Sequence, residues 1–233
     1  MRYFAFGALA LLGACLMAPL SFAQSGSPAE ASKSNPPAAK AAPSGKLSVD
    51  EDVLLPLVGI PEKDFREARR QLKVGNKKAA AADIRAAASL IRLEAARPDA
   101  EDKDSLLSSA ADLDKLAQSV EKGDVKSPSE LNQTFAKADL ALASHYHMMA
   151  KDELLRGNKS KALVWLTAAT DYIKDSVSWS SRELKEGGAP LVKKMQDLGN
   201  KIAAGAKSAT EATERGFDAL GQEIKNLAAK VSQ

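Results

Sequence analysis

The sequence predicts an all-α protein, a helical bundle of about six helices built on two related helix-turn-helix hairpins and closed by a long C-terminal amphipathic helix. Three observations predict it. Apolar residues make up 45% of the chain but aromatic ones only 5%; the apolar content is rich in alanine, which favours close-packed helices over sheets. Apolar positions recur at steps of three and four, and no stretch alternates with the period of two that a half-buried strand needs. Glycines fall where periodic runs stop, and prolines fall outside the strongly periodic stretches.

The chain opens with Arg2, an uncharged apolar run from Tyr3 to Met17, and Ser21-Phe22-Ala23 before Gln24. This is the layout of a cleaved secretory signal, residues 1–23, and it places the mature protein in the periplasm or outside the cell. A competing reading takes Leu12-Gly13-Ala14-Cys15 as a lipobox and Cys15 as a lipid anchor, but the apolar stretch Leu16 to Ala23 is an unusual tether. Cys15 is the sole cysteine, so the mature chain can build neither disulfides nor thiolate sites. Residues 24–48 are rich in Ser, Ala, Pro and Lys, with Pro28, Pro36, Pro37 and Pro43, and read as a disordered tether. The all-α domain then spans residues 49–233.

Within that domain, Pro61 and Pro128 suit first-turn positions, because a missing N–H costs nothing there. Gly75, Gly123, Gly157 and Gly187-Gly188 read as stops. The helices expected are 62–74, 77–96, 101–122, 129–156, 159–186 and 190–231. In the last, Leu191, Met195, Leu198 and Ile202, then Phe217, Leu220, Ile224, Leu227 and Val231, form a coiled-coil-like stripe weakened by Gly199, Gly205, Gly216 and Gly221. Such a stripe can dock on the bundle, pair with another chain, or lie on a membrane surface through Lys201, Lys207 and Lys225.

Residues 68–91 align without gaps on 150–173, an offset of 82, with Leu72/Leu154, Gly75/Gly157, Asn76/Asn158, Lys77/Lys159 and Ile91/Ile173 identical. This divides the domain into repeat halves of about 62–145 and 146–231. Gly157, Ala162, Leu166 and Ala169, like Gly75, Ala80, Ile84 and Ala87, resemble the turn and second helix of tetratricopeptide hairpins, although the closing proline is missing at Arg92 and Lys174. The layout of signal, low-complexity tether and two Gly-Asn-Lys hairpins also resembles the YfdX family of exported helical proteins. That resemblance implies an envelope-stress setting and carries no catalytic residue across.

Folding back at Gly157 should run 129–156 antiparallel to 159–186. It pairs Met149 with Trp165, Leu142 with Tyr172 and Phe135 with Trp179, and sets His145 opposite Ala169. Trp165, Tyr172 and Trp179 recur every seven residues, as either a packed seam or an aromatic groove. His145-Tyr146-His147-Met148-Met149 holds both histidines of the chain. Imidazole and thioether suit copper, so His145, His147 and Met149 are the candidate metal ligands, although residues two apart on a helix point to opposite sides. Asp99, Glu101, Asp102 and Asp104 lack the glycine and distal glutamate of a calcium loop and read as an acidic helix start.

No Gly-x-Ser-x-Gly, phosphate loop or dinucleotide fingerprint occurs, and no cofactor is implied apart from the possible copper. A net charge of +3, from 33 basic and 30 acidic residues with interspersed signs, does not ask for nucleic acid. No segment is long and apolar enough to span a bilayer. The expectation is a non-enzymatic periplasmic protein that binds a protein partner or self-associates through its C-terminal helix. Copper binding at His145–Met149 is the alternative.

Overall fold

A computed structural model describes residues 58–97, 100–180, 182–205 and 211–231. The expected signal and tether, and Lys207, lie outside the described residues. Seven α-helices and no strand occur among the described residues: α1 (Ile60–Lys73), α2 (Lys77–Ala95), α3 (Lys103–Lys122), α4 (Asn132–Leu155), α5 (Lys159–Trp179), α6 (Arg182–Ala203) and α7 (Glu211–Val231). A 3-10 turn, Pro128–Leu131, leads into α4. Ser127 and Glu130 close a capping box there, the Ser127 N–H donating to Glu130 Oε1 at 2.9 Å. Pro61 and Pro128 both occupy first-turn positions, as the sequence predicts.

The 82-residue offset reappears as a repeated turn in atomic detail. Gly75 and Gly157 have φ of 81° and 83°, the left-handed conformation that ends a helix without the Cβ penalty. The Asn76 N–H donates to the Gln71 carbonyl at 2.9 Å, and the Asn158 N–H donates to the Glu153 carbonyl at 2.8 Å. The side-chain amide of each asparagine also donates to the side chain of that same residue. Each turn is thus locked twice by one asparagine, and the two hairpins, α1–α2 and α4–α5, are built alike.

The central element is α4, which packs against α3, α5 and α7. Leu140, Ala141, Leu142 and Ala143 are consecutive and all buried, which requires neighbours on every side of the helix. Around it, α2 packs between α1 and α3, and α6 against α5 and α7.

The antiparallel register of α4 and α5 is the predicted one where the rings show it. Phe135 meets Trp179 edge-on, with centroids 5.6 Å apart. The expected pairing omits Tyr146, which is equidistant with Ala168 from Gly157. Its ring lies between Trp165 and Tyr172, stacked on them at 5.4 and 5.5 Å. Trp165, Tyr172 and Trp179 are all buried, so the aromatic stripe is a packed seam.

The C-terminal region departs from expectation. It is two helices, not one over 190–231, and α6 ends at Ala203 with Gly205 at φ 80°. The preceding helix stops at Trp179 instead of running to 186. The hydroxyls of Ser176, Ser178 and Ser180 each hydrogen-bond a carbonyl three or four residues back, as those of Thr167 and Thr170 do in mid-helix. Gly187, Gly188 and Pro190 then lie inside α6. A Cβ at Gly188 would overlap the Val177 side chain, so this glycine serves a close approach of α6 to α5 and not a stop. Leu191, Met195, Leu198, Ile202, Phe217, Leu220, Ile224, Leu227 and Val231 are all buried within the chain. Of docking, pairing and membrane contact, the described fold uses the stripe for docking; pairing through the stripe would require these helices to detach. No helix among the described residues is long and apolar enough to cross a membrane.

Candidate functional site

A buried cluster of charges surrounds His145. The last turn of α2 supplies Glu94, the residues after it Arg97, the N-cap of α3 Asp102, and α4 His145 and Tyr146. The side chains of His145, Arg97, Glu94 and Asp102 are only 2%, 4%, 6% and 10% exposed. His145 Nδ1 lies 2.9 Å from Asp102 Oδ1, a charge-assisted hydrogen bond, and Nε2 lies 3.4 Å from Glu94 Oε2. The second contact is an ion pair without hydrogen-bond alignment, since Nε2 has no hydrogen-bond partner. The Tyr146 hydroxyl donates to Glu94 Oε1 at 3.1 Å, Arg97 Nη1 is 3.7 Å from Glu94 Oε2, and the Arg97 guanidinium sits 5.6 Å over the Trp165 ring.

Burial by itself would depress the pKa of His145. The carboxylates of Asp102 and Glu94 overrule it and hold the imidazole up at about 9, so the ring is a cation at neutral pH. A protonated ring with both nitrogens facing carboxylates offers a metal no lone pair. His145 was expected to pack opposite Ala169; its ring is instead held by Glu94 and Asp102.

His147 lies in a different interface. Its ring is 5.3 Å from Phe217 on α7, and a Cβ at Gly221 would come within 3.2 Å of its Cε1. Burial pushes its pKa down to about 4, and Nε2 has no hydrogen-bond partner. Met149, also buried, follows His145 by one turn. The fold therefore does not bring His145, His147 and Met149 together around one point, and no group of three His, Cys, Asp or Glu suited to a metal occurs among the described residues. Of the acidic group, Asp102 turns inward to His145, Asp104 sits in the first turn of α3, and Asp99 is outside the described residues.

A second buried polar group lies where α1 meets α4 and α5. Trp179 Nε1–H donates to Asp139 Oδ2 at 2.7 Å, and Arg66 pairs with Glu62 and Asp175. Burial first, then the Asp175 charge, holds the Asp139 carboxyl well above the usual range; burial and Glu62 raise Asp175 to about 6. The Gly59 N–H donates to the Tyr172 hydroxyl at 3.0 Å, and Arg69 sits 5.1 Å over the Trp179 ring, so α1 is strapped to α5 at several points.

Sequence reasoning missed Glu94 and Asp139. Both had a signal. Glu94 continues the apolar steps of Ala87 and Ile91, and Asp139 follows Phe135 by one turn; a charge at a core-spaced position announces a buried partner. No family model, no curated protein and no solved structure matches this chain.

Proposed function

We propose that this chain is an exported, non-enzymatic helical module that acts by binding other proteins through its outer helical faces, in the envelope-stress setting that the YfdX-like layout implies. One observation carries the reading: the side chains most capable of chemistry are committed to contacts inside the core. His145 is clamped by Asp102 and Glu94, His147 is wedged against Phe217 and Gly221, and in the aromatic stripe Trp165 and Tyr172 stack on Tyr146 while Trp179 meets Phe135. What faces outward is the polar side of the helices around α4, with Val74, Leu107, Leu155 and Val164 as exposed apolar points.

A photo-crosslinking amino acid placed at Val74 or Leu107 in the producing cell tests this. Discrete adducts with a small set of envelope proteins are expected. Adducts at neither position, together with stoichiometric copper uptake in dialysis that is lost in His145→Ala, would overturn it. That outcome favours copper binding by His145, His147 and Met149.

A further inference from the structure

The surface of α5 carries an apolar groove lined by Val58, Leu163, Val164, Thr167, Ala168 and Asp171. Val164 is 47% exposed in the middle of this helix, as Leu107 is exposed on α3, whereas exposed Val74 and Leu155 flank the hairpin turns. The groove has a wall, Val58, that belongs to the chain just before α1. We propose that this groove is the docking site of the chain's own segment Val53–Leu57, which enters it directly from Val58.

Four features argue for that occupant. The first is chemistry: Val53-Leu54-Leu55-Pro56-Leu57 places four large apolar side chains in five residues, next to an exposed apolar surface. The second is direction. The Gly59 N–H is fixed to the Tyr172 hydroxyl, and α1 then proceeds past Asp175 to Trp179, through Arg66 and Arg69. Val58, the residue before Gly59, already lines the groove with Asp171, Thr167 and Val164, on the side of Tyr172 away from Trp179. The third is length. A residue before proline, as Leu55 is before Pro56, favours extended backbone, and five residues in that form would cover about 17 Å. The face of α5 from Asp171 back to Lys159 is about 18 Å long at the helical rise. The fourth is charge. Asp50, Glu51 and Asp52 precede the segment, and the same course would bring them toward the N-terminal turn of α5, where the helix dipole favours anions. In extended chain Val53, Leu55 and Leu57 share one side and can face the groove together.

Disulfide trapping in the full chain carrying Cys15→Ser tests the proposal. Leu55→Cys with Thr167→Cys should close an intramolecular bond at least about tenfold faster than Leu55→Cys with Lys115→Cys on α3, because docking raises the effective concentration of the pair. As an independent readout, a water-soluble thiol reagent should label Val164→Cys at least about tenfold more slowly in the otherwise native chain than in one also carrying Leu54→Asp and Leu55→Asp, because a docked segment is in equilibrium with an undocked one. A trapping ratio near one, or labelling that ignores the aspartates, overturns the proposal. Disulfides joining two chains also overturn it, by assigning the groove to a second copy.

Discussion

At the scale of single residues, two histidines two positions apart have opposite protonation. His145 has a pKa raised to about 9, so its stabilising contribution is complete below its unfolded value near 6.5 and is lost as pH rises through about 9. His147, lowered to about 4, behaves conversely: its contribution is complete above about 6.5 and is lost as pH falls toward 4. His145→Gln should therefore destabilise the protein by about 3–5 kcal/mol in urea melts at pH 7, the cost of taking the imidazolium from buried Asp102 and leaving Glu94 with Arg97 as its remaining cation. It should also flatten the fall in stability between pH 6.5 and 9. An unchanged pH profile in the variant would mean that the ring is not held as a cation. The histidines stand out in the sequence, but the acids that define their chemistry do not. Asp102 is 43 residues from His145, and Glu94 is 52 residues from Tyr146; no local spacing joins them.

At the scale of elements, the glycines of the last two helices separate propensity from packing. Spacing alone marks Gly187-Gly188 as a stop and Gly199, Gly216 and Gly221 as weak points. In the fold Gly188 lies inside α6, where a Cβ would overlap the stiff, β-branched Val177, while a Cβ at Gly216 would make ordinary contact with Leu198 at 3.5 Å. The same substitution should thus act with opposite signs. Gly216→Ala should stabilise by about 0.5–1 kcal/mol through helix propensity. Gly188→Ala should destabilise by about 1–3 kcal/mol through overpacking between α5 and α6. Thermal melts of the two variants check this, and a shift of equal sign in both would show that the close crossing is absent. The helix ends that sequence placed well are those set by local chemistry, such as Gly75, Gly157 and the Ser127–Glu130 box. The end of α5 differs from expectation because Gly188, which reads as a stop, is used inside α6 for its close approach to Val177, so the glycines do not mark the end of α5.

At the scale of the whole molecule, an all-α bundle with duplicated hairpins was legible from composition, period and the 82-residue offset. The break of the C-terminal stripe into α6 and α7, and its burial inside the chain, was not. A periodic stripe says that a face is covered but not by what, and the cover for α7 is α4, with Phe217 against His147. Because α7 packs on α4 and α6, whereas α4 and α5 share the most extensive contact in the bundle, α7 should open more readily than the central hairpin. Amide exchange should be faster over residues 211–231 than over 132–179, and should accelerate further as pH is lowered from 6.5 toward 4, after correction for intrinsic rates. Equal protection at both pH values would make α7 part of one cooperative core. The central claim is that the side chains that resemble a site are the ones that hold the bundle together. The two histidines are the only ones in the chain, so their ring nitrogens can be followed directly by NMR across a pH titration. The account predicts that one imidazole stays charged through neutral pH and titrates near 9, that the other stays neutral until about 4, and that neither responds to an equivalent of copper. Both rings titrating near 6.5, or both shifting together on copper addition, would contradict it.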